Sequence, residues 1–477
     1  MEKKSAFGFL KKSGKESANG HKTDDASDSD QIARAEELIG KKEYQAALDI
    51  LQPLAKKGNA WAQHHLGFMY MNGWGVPEKE KTALSWFRKS AEQGLLQGQY
   101  EYGRLMIGMK GKKKLGAQWI LKAAEQGLSN AQNLYGNLLY FGYDDMAVPQ
   151  NKELAAAWYE KAAEQGDEDA QVKLGDMYYK GDGINSDYAM AAIWYEKAAE
   201  QGLITGQMKI AELYSVLWVY ARDSSDDESY IDWLEYMAAS WFRKAADQGV
   251  ADAEYGVGWM NYEKQNYADA VEWYQKSAEQ GYYKAQLALY FMYKEGIGVP
   301  QSDKMAAFWC RKAAEQWIED AQFYLGTMYF EGKGVKKDLA QAAQWFQKAA
   351  EQGHKFAQYR LANAYYGGLG LEKNFSLAEK WYKKAAEQGE ERAQFALGVM
   401  YNRGEGVKEN PAMAVQWYLK AAEQNHLRAQ AVLATMYAAG RGVPRDSLKA
   451  EYWAKKAAEQ GDKDAKEILD KLHSLKN

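Results

Sequence analysis

From about residue 60 onward, two stretches of helical apolar spacing and a glycine break between them recur many times over. Residues 319–353 show one such unit. Ala321, Leu325, Met328 and Tyr329 fall on one helix face, which predicts a first helix. Gly332-Lys333-Gly334-Val335 then interrupts the pattern, because paired glycines supply a turn. Asp338 stands seven residues before Trp345, where a second helix should begin. The same offset holds Asn151, Asp187, Asn266, Ser302, Asn374, Asn410 and Asp446, all side chains that accept hydrogen bonds from the free amides of a helix start. The second helix puts Ala342, Trp345 and Ala349 on one face, which predicts close helix approach around the indole. Gly353 ends it in the left-handed conformation that glycine tolerates. Asn425 and Trp317 replace that glycine in two units. A bulky residue is disfavoured there by about 1–2 kcal/mol, so at Trp317 either the turn is adjusted or the residue is strained.

The unit has a ruler. Trp86, Trp119, Trp158, Trp194, Trp241, Trp273, Trp309, Trp345, Trp381, Trp417 and Trp453 are separated by 33, 39, 36, 47, 32, 36, 36, 36, 36 and 36 residues. A repeated period of this size predicts an all-α solenoid of stacked helix-turn-helix units, each too small to bury its apolar face alone. The 477 residues are therefore not read as several globular domains.

Composition adds little and excludes more. A hydrophobic fraction of 47% supplies a long core, and a net charge of −4 gives no nucleic-acid footprint. Cys310 is the only cysteine, so no disulfide can form within the chain and a reducing, cytoplasmic setting is expected. The apolar stretch Ala6–Leu10 is too short for a secretion signal, and no transmembrane segment is expected.

The phrases Leu325–Tyr329, Gly404–Val407 and Ala414–Gln424 (L-G-x-M-Y, G-x-G-V and A-x-x-W-Y-x-K-A-A-E-Q) resemble the Sel-one-like repeat (SLR) family, relatives of the tetratricopeptide repeat. The resemblance implies a right-handed superhelix with first helices lining the concave side, and a scaffold or adaptor role common among bacterial members. Eleven repeats are expected over 59–461, with a degenerate helix pair at 31–58, a disordered tail at 1–30 and a capping helix at 462–477. A cysteine-rich branch of the family is associated with β-lactam binding or hydrolysis. This chain lacks those cysteines, so that activity does not carry over.

The repeats also form an internal comparison set. Residues one, five and eight places after the recurring Gln or Glu of the first helix share one face, and they vary strongly while staying large. By the geometry the resemblance implies, they line the groove. An aromatic band runs through Tyr255, Trp259 and Tyr262, with Phe291, Phe323, Phe330, Tyr359 and Tyr366, and is interrupted by polar Asp176, Glu212 and Asn363. Aromatic anchors with sparse hydrogen-bonding groups suit a peptide groove, although packing against neighbouring helices explains the same rings.

The largest irregularity lies near 216–236, where Trp218 and Trp233 bracket the acidic run Asp223-Ser224-Ser225-Asp226-Asp227-Glu228. An inserted acidic, aromatic loop here could grip a basic partner. It lacks the glycine and ligand spacing of a calcium loop. The next unit is short and turns through Tyr262–Tyr267 without paired glycines, so the site is expected near 216–267. The basic turn Lys110–Lys114 and an N-terminal docking motif at Phe7, Phe9 and Leu10 are weaker candidates.

No nucleophile elbow, zinc motif or Walker loop is present, and adjacent His64 and His65 point about 100° apart on a helix. No catalytic residue, cofactor or metal ligand is assigned, and the chain is not expected to be an enzyme. The expected function is a protein-interaction scaffold that takes a protein or peptide segment in the groove. An inhibitor or immunity-type protein wrapping one toxin or enzyme is the alternative, and a hydrolase like the cysteine-rich relatives the more distant one. Oligomeric state is left open.

Overall fold

The computed structural model describes residues 26–474, which form 25 α-helices and one short 3-10 helix with no strand among them. The tail expected through residue 30 gives way to helix from Ala26; the docking motif at Phe7, Phe9 and Leu10 lies outside the described residues. The chain divides into two compact units, residues 1–241 and 242–477. In the first, helices Ala26–Gly40 and Tyr44–Lys57 precede four helix pairs spanning 60–200 and the longer helix Ile204–Ser224, and the boundary falls within the next long helix, Glu228–Ala246. In the second, six pairs run from Ala251–Glu263 with Tyr267–Glu279 to Leu427–Ala439 with Ser447–Glu459, and Lys463–Ser474 follows. In the pairs of ordinary length the two helices pack on each other, and the second helix packs on the first helix of the following pair, so within each unit the core is a stack.

Seven of the eight predicted cap residues accept a backbone amide in the first turn, as Asp338 does from Ala340 and Gln341. Asn266 does not. Its backbone lies outside the extended region because the glycine-free turn before it is tighter. The paired glycines bring neighbouring repeats together. Gly334 has φ +69°, and a Cβ on it would lie 1.9 Å from the Asp303 carbonyl oxygen at the start of the preceding pair's second helix. Trp317 holds φ +66° with its ring exposed, so the turn is kept and the side chain carries the strain.

The tryptophan ruler runs along the core: Trp194, Trp241, Trp309, Trp381 and Trp453 are buried in it, and the other six indoles are half-buried at its edge. The residue after each ruler tryptophan is buried in every unit: Phe87, Ile120, Tyr159, Tyr195, Tyr274, Phe346, Tyr382 and Tyr418 are all sealed. These rings lean on a first-helix position that must stay small. At Gly398 an added Cβ would lie 2.4 Å from the Tyr418 ring. Most ruler indoles are only half-buried, and in nine units the lysine three residues on lies over the ring, as Lys348 does over Trp345 at 3.9 Å. The cation covers the exposed side of the ring, which accounts for the W-x-x-K phrase.

A buried glutamine ladder stitches the pairs. Gln358 donates to the carbonyl of Ala350, in the preceding pair, at 3.2 Å, and its own amide oxygen accepts from Gln388 at 2.9 Å. Gln322, Gln394 and Gln430 repeat both bonds. Glu254 stands at this position at the start of the second unit and accepts from Gln280 at 2.6 Å, but a carboxylate has no N–H to return to the preceding carbonyl.

The expected inserted loop near 216–236 is helix instead. Ile204–Ser224 and Glu228–Ala246 span 21 and 19 residues where the standard helix has 13, so both members of the pair are lengthened and joined by a short turn. The apolar spacing simply continues: Val216, Val219 and Tyr220 extend one helix, Tyr230, Trp233 and Tyr236 the other, and all six are exposed.

Candidate functional site

The face defined by positions one, five and eight after the recurring glutamine exists in both units, but its members do different work. In the first unit, Asp176 accepts the Tyr195 hydroxyl at 2.6 Å and pairs with Lys209 at 3.2 Å. Asn137 accepts from Tyr159 at 2.8 Å in the same manner. These polar groups therefore satisfy a buried ring's hydroxyl, a role the sequence reading missed. Glu212 is exposed. Trp218 is 3% exposed and packs beneath Arg222, at 4.8 Å, so it belongs to the core and cannot anchor a partner. Trp233 is exposed, edge-on to Tyr214 and stacked on Tyr230.

In the second unit, Tyr255 is half-buried between Tyr274 and Tyr282, each 5.4 Å away. Trp259 and Tyr262 are likewise half-buried against the core, Tyr262 beside Tyr267. Phe291 is exposed next to Tyr290 and Tyr324. Phe323 stacks on His354 at 4.6 Å.

Two adjoining cavities open on the face farther along. One, of about 290 Å³, lies between Phe330, Phe346, Arg360 and Leu369. The other, of about 630 Å³, spans three consecutive first helices, with Tyr359, Arg392, Phe395, Val399 and Arg428 around it. Asn363 and Tyr366 line both. Of the predicted residues, Phe330, Tyr359, Asn363 and Tyr366 thus converge on one place, whereas Tyr255, Trp259 and Tyr262 line neither cavity. The two cavities thus lie within 330–428, apart from the centre expected near 216–267.

The details of this place follow from the repeat. Asn363 accepts the Tyr382 hydroxyl at 2.6 Å, and burial pushes that hydroxyl's pKa up, so it remains a donor. Tyr366 donates to Glu405. The Arg392 guanidinium lies 5.0 Å from the Tyr359 ring, and that of Arg360 lies 5.6 Å from Phe330. His426 begins the helix Leu427–Ala439, its Nδ1 accepting from the Ala429 amide at 3.3 Å while its ring stacks on Phe395 at 4.7 Å. Burial lowers its pKa, Arg428 and Arg392 lower it further, and Glu391 opposes them. Arg360, Arg392, His426 and Arg428 were not singled out from the sequence. The signal was there in Arg392 and Arg428, which sit two places before the recurring glutamine where Asp169, Asp252 and Asp320 stand in other repeats. Among the described residues no cluster of three or more metal-ligating side chains occurs, and no helix is long and apolar enough to cross a membrane.

The Sel1 repeat pattern matches residues 62–95, 97–128, 129–167, 168–203, 235–250, 251–282, 284–316, 319–354, 355–390, 391–426 and 427–462. The unmatched stretch 204–234 covers the first of the two lengthened helices and the start of the second. The chain is 34% identical to c5321, a protective antigen present in uropathogenic Escherichia coli strains that displays an SLR fold, over 90% of both chains with a TM-score of 0.57. It is 38% identical to a Sel1 repeat protein from Oxalobacter formigenes, over 44% of this chain and 85% of that one, with a TM-score of 0.40. No curated protein sequence matches it.

Proposed function

This chain is a member of the Sel1 repeat family, whose repeats serve as protein-interaction scaffolds, and from that premise we propose that it is a non-catalytic scaffold that binds a peptide or helical segment across the first-helix face of residues 330–428. The observation that carries this reading is the pair of adjoining cavities sharing Asn363 and Tyr366. Half-buried rings around an open cavity supply rigid apolar anchors at low entropic cost, and the pre-satisfied Asn363 and Tyr382 hold them in place. The larger cavity has the size of a site for a few side chains rather than for a folded domain.

Affinity capture with the wild-type chain and with Tyr359→Ala/Phe395→Ala tests the reading. A partner held by the first and lost by the second, with the circular-dichroism spectrum unchanged, supports it. A partner retained by both removes the interaction from this face and directs attention to the exposed rings of the 204–246 helices.

A further inference from the structure

The two cavities contain no acidic lining residue, although the chain carries more carboxylates than cations. Arg360, Arg392 and Arg428 line them, with His426 beside the last. Two of these arginines stand where helix physics disfavours them. Arg392 and Arg428 are the second residues of the helices Glu391–Arg403 and Leu427–Ala439. The positive end of the helix dipole favours acidic side chains there and opposes cations, by about 0.3–1 kcal/mol. Three earlier repeats follow that preference with Asp169, Asp252 and Asp320 at the same position, and only Lys284 among the earlier repeats places a cation there. Arginine at both of the last two repeats is thus not explained by local helix stability. Nor is its charge fully consumed within the fold. Arg392 gives its Nε to the buried Glu390 at 2.5 Å, which leaves the outer fork of the guanidinium toward the cavity. Arg360 and Arg428 make no ion pair among the described residues. Aromatic rings under Arg360 and Arg392 hold the guanidinium planes in place, which lowers the cost of fixing them when a ligand binds.

We propose that this face selects acidic protein segments, with Arg360, Arg392 and Arg428 taking carboxylates and the rings of Phe330, Tyr359 and Phe395 taking the apolar side chains between them. The proposal rests on the reading of the face as a peptide-binding surface and names the class of peptide. Planar guanidinium forks match carboxylates in bidentate geometry, and two positive helix ends reinforce the field at the same point. Three arginines interleaved with apolar surface fit a segment of mixed acidic and aromatic or aliphatic character better than a continuous polyanion, whose backbone would need a longer basic track.

The probe is a phage-displayed random library of about 12-residue peptides, selected on the full chain, with the winning peptides then measured against Arg428→Gln, Arg392→Gln/Arg428→Gln and Tyr359→Ala/Phe395→Ala. The expected result is enrichment of Asp and Glu among the selected peptides, and a loss of affinity of about tenfold or more for the double arginine variant near physiological salt. Arg428 is exposed and unpaired by any carboxylate, so Arg428→Gln gives a weakening in the same direction even if freeing Glu390 perturbs the double variant. Peptides without acidic enrichment that bind both arginine variants like wild type, yet lose binding on Tyr359→Ala/Phe395→Ala, overturn acid selection and leave the peptide surface standing. Selected peptides indifferent to all three variants, or no selected peptide at all, overturn both. A single-stranded RNA of similar length that outcompetes every selected peptide at these arginines overturns the assignment to protein segments.

Discussion

Trp317 takes a glycine's place and a glycine's backbone angle while its indole stands in solvent. Nothing in the ring's surroundings offsets the left-handed conformation, so Trp317→Gly should stabilise the chain by about 0.5–1 kcal/mol, the strain relieved less glycine's extra entropy in the unfolded chain. The midpoint of urea unfolding measures this. Gly398 presents the opposite case. Its missing Cβ is the space into which Tyr418 packs, and Gly398→Ala should cost about 1–3 kcal/mol as an overpacking change, read in the same experiment. The tryptophans made the period legible in the sequence, since a large, rare residue is easy to count. Their depth was not legible, since five of the indoles are buried and six are half-buried. Periodicity reports which positions recur, whereas burial depends on which side of the second helix meets the first, and that is decided by the adjoining ring and its glycine.

At the scale of the element, the unit is held by amides that work in both directions. Gln358→Ala should destabilise by about 1–3 kcal/mol, because one buried and one half-buried hydrogen bond are lost, leaving the Ala350 carbonyl with the Gly353 amide and the Gln388 side-chain amide with the Gly353 carbonyl; thermal unfolding against the wild type checks it. Helix starts also set a pH response. His426 caps its helix through an unprotonated Nδ1, and its pKa in the fold lies below its ordinary value of 6.5. Acid therefore protonates the unfolded chain before the folded one. The contribution of His426 is complete above 6.5 and is lost as the pH falls from there toward the lower folded value. Melting temperature should drop with acidification more steeply in the wild type than in His426→Asn, which caps without titrating. The lengthened helices at 204–246 show why an insertion misleads. Acidic residues at Asp223–Glu228 read as a loop, but the apolar spacing through Tyr220 and from Tyr230 onward extends the helices to either side and leaves only a turn.

For the molecule as a whole, each repeat depends on its neighbours and not on distant ones. Gly398→Ala should therefore raise amide hydrogen exchange in the pairs flanking 391–423 while leaving 251–295 of the same unit unchanged, as peptide-resolved exchange would show. Locality also explains how the candidate site was half read. Phe330, Tyr359, Asn363 and Tyr366, which line the cavities, stood out because those positions vary among repeats, although Asn363 also serves the fold by accepting the Tyr382 hydroxyl. Their arginine neighbours were passed over because a lone charge on a helix resembles any solvated face until the elements bring Arg392 and Arg428 to one cavity and Arg360 to the adjoining one. The glutamine ladder carries a consequence for how such a chain changes length. Each link gives an N–H backward and an oxygen within its own pair, so any seam between pairs is chemically the same as the next. Excising residues 355–390 as one block would present the Gln394 donor to the Ala350 carbonyl in place of Ala386. Recombination at matching seams can then shorten or lengthen the chain without stranding a buried amide. Glu254, with no donor to hand back, marks a seam where such a splice would not close.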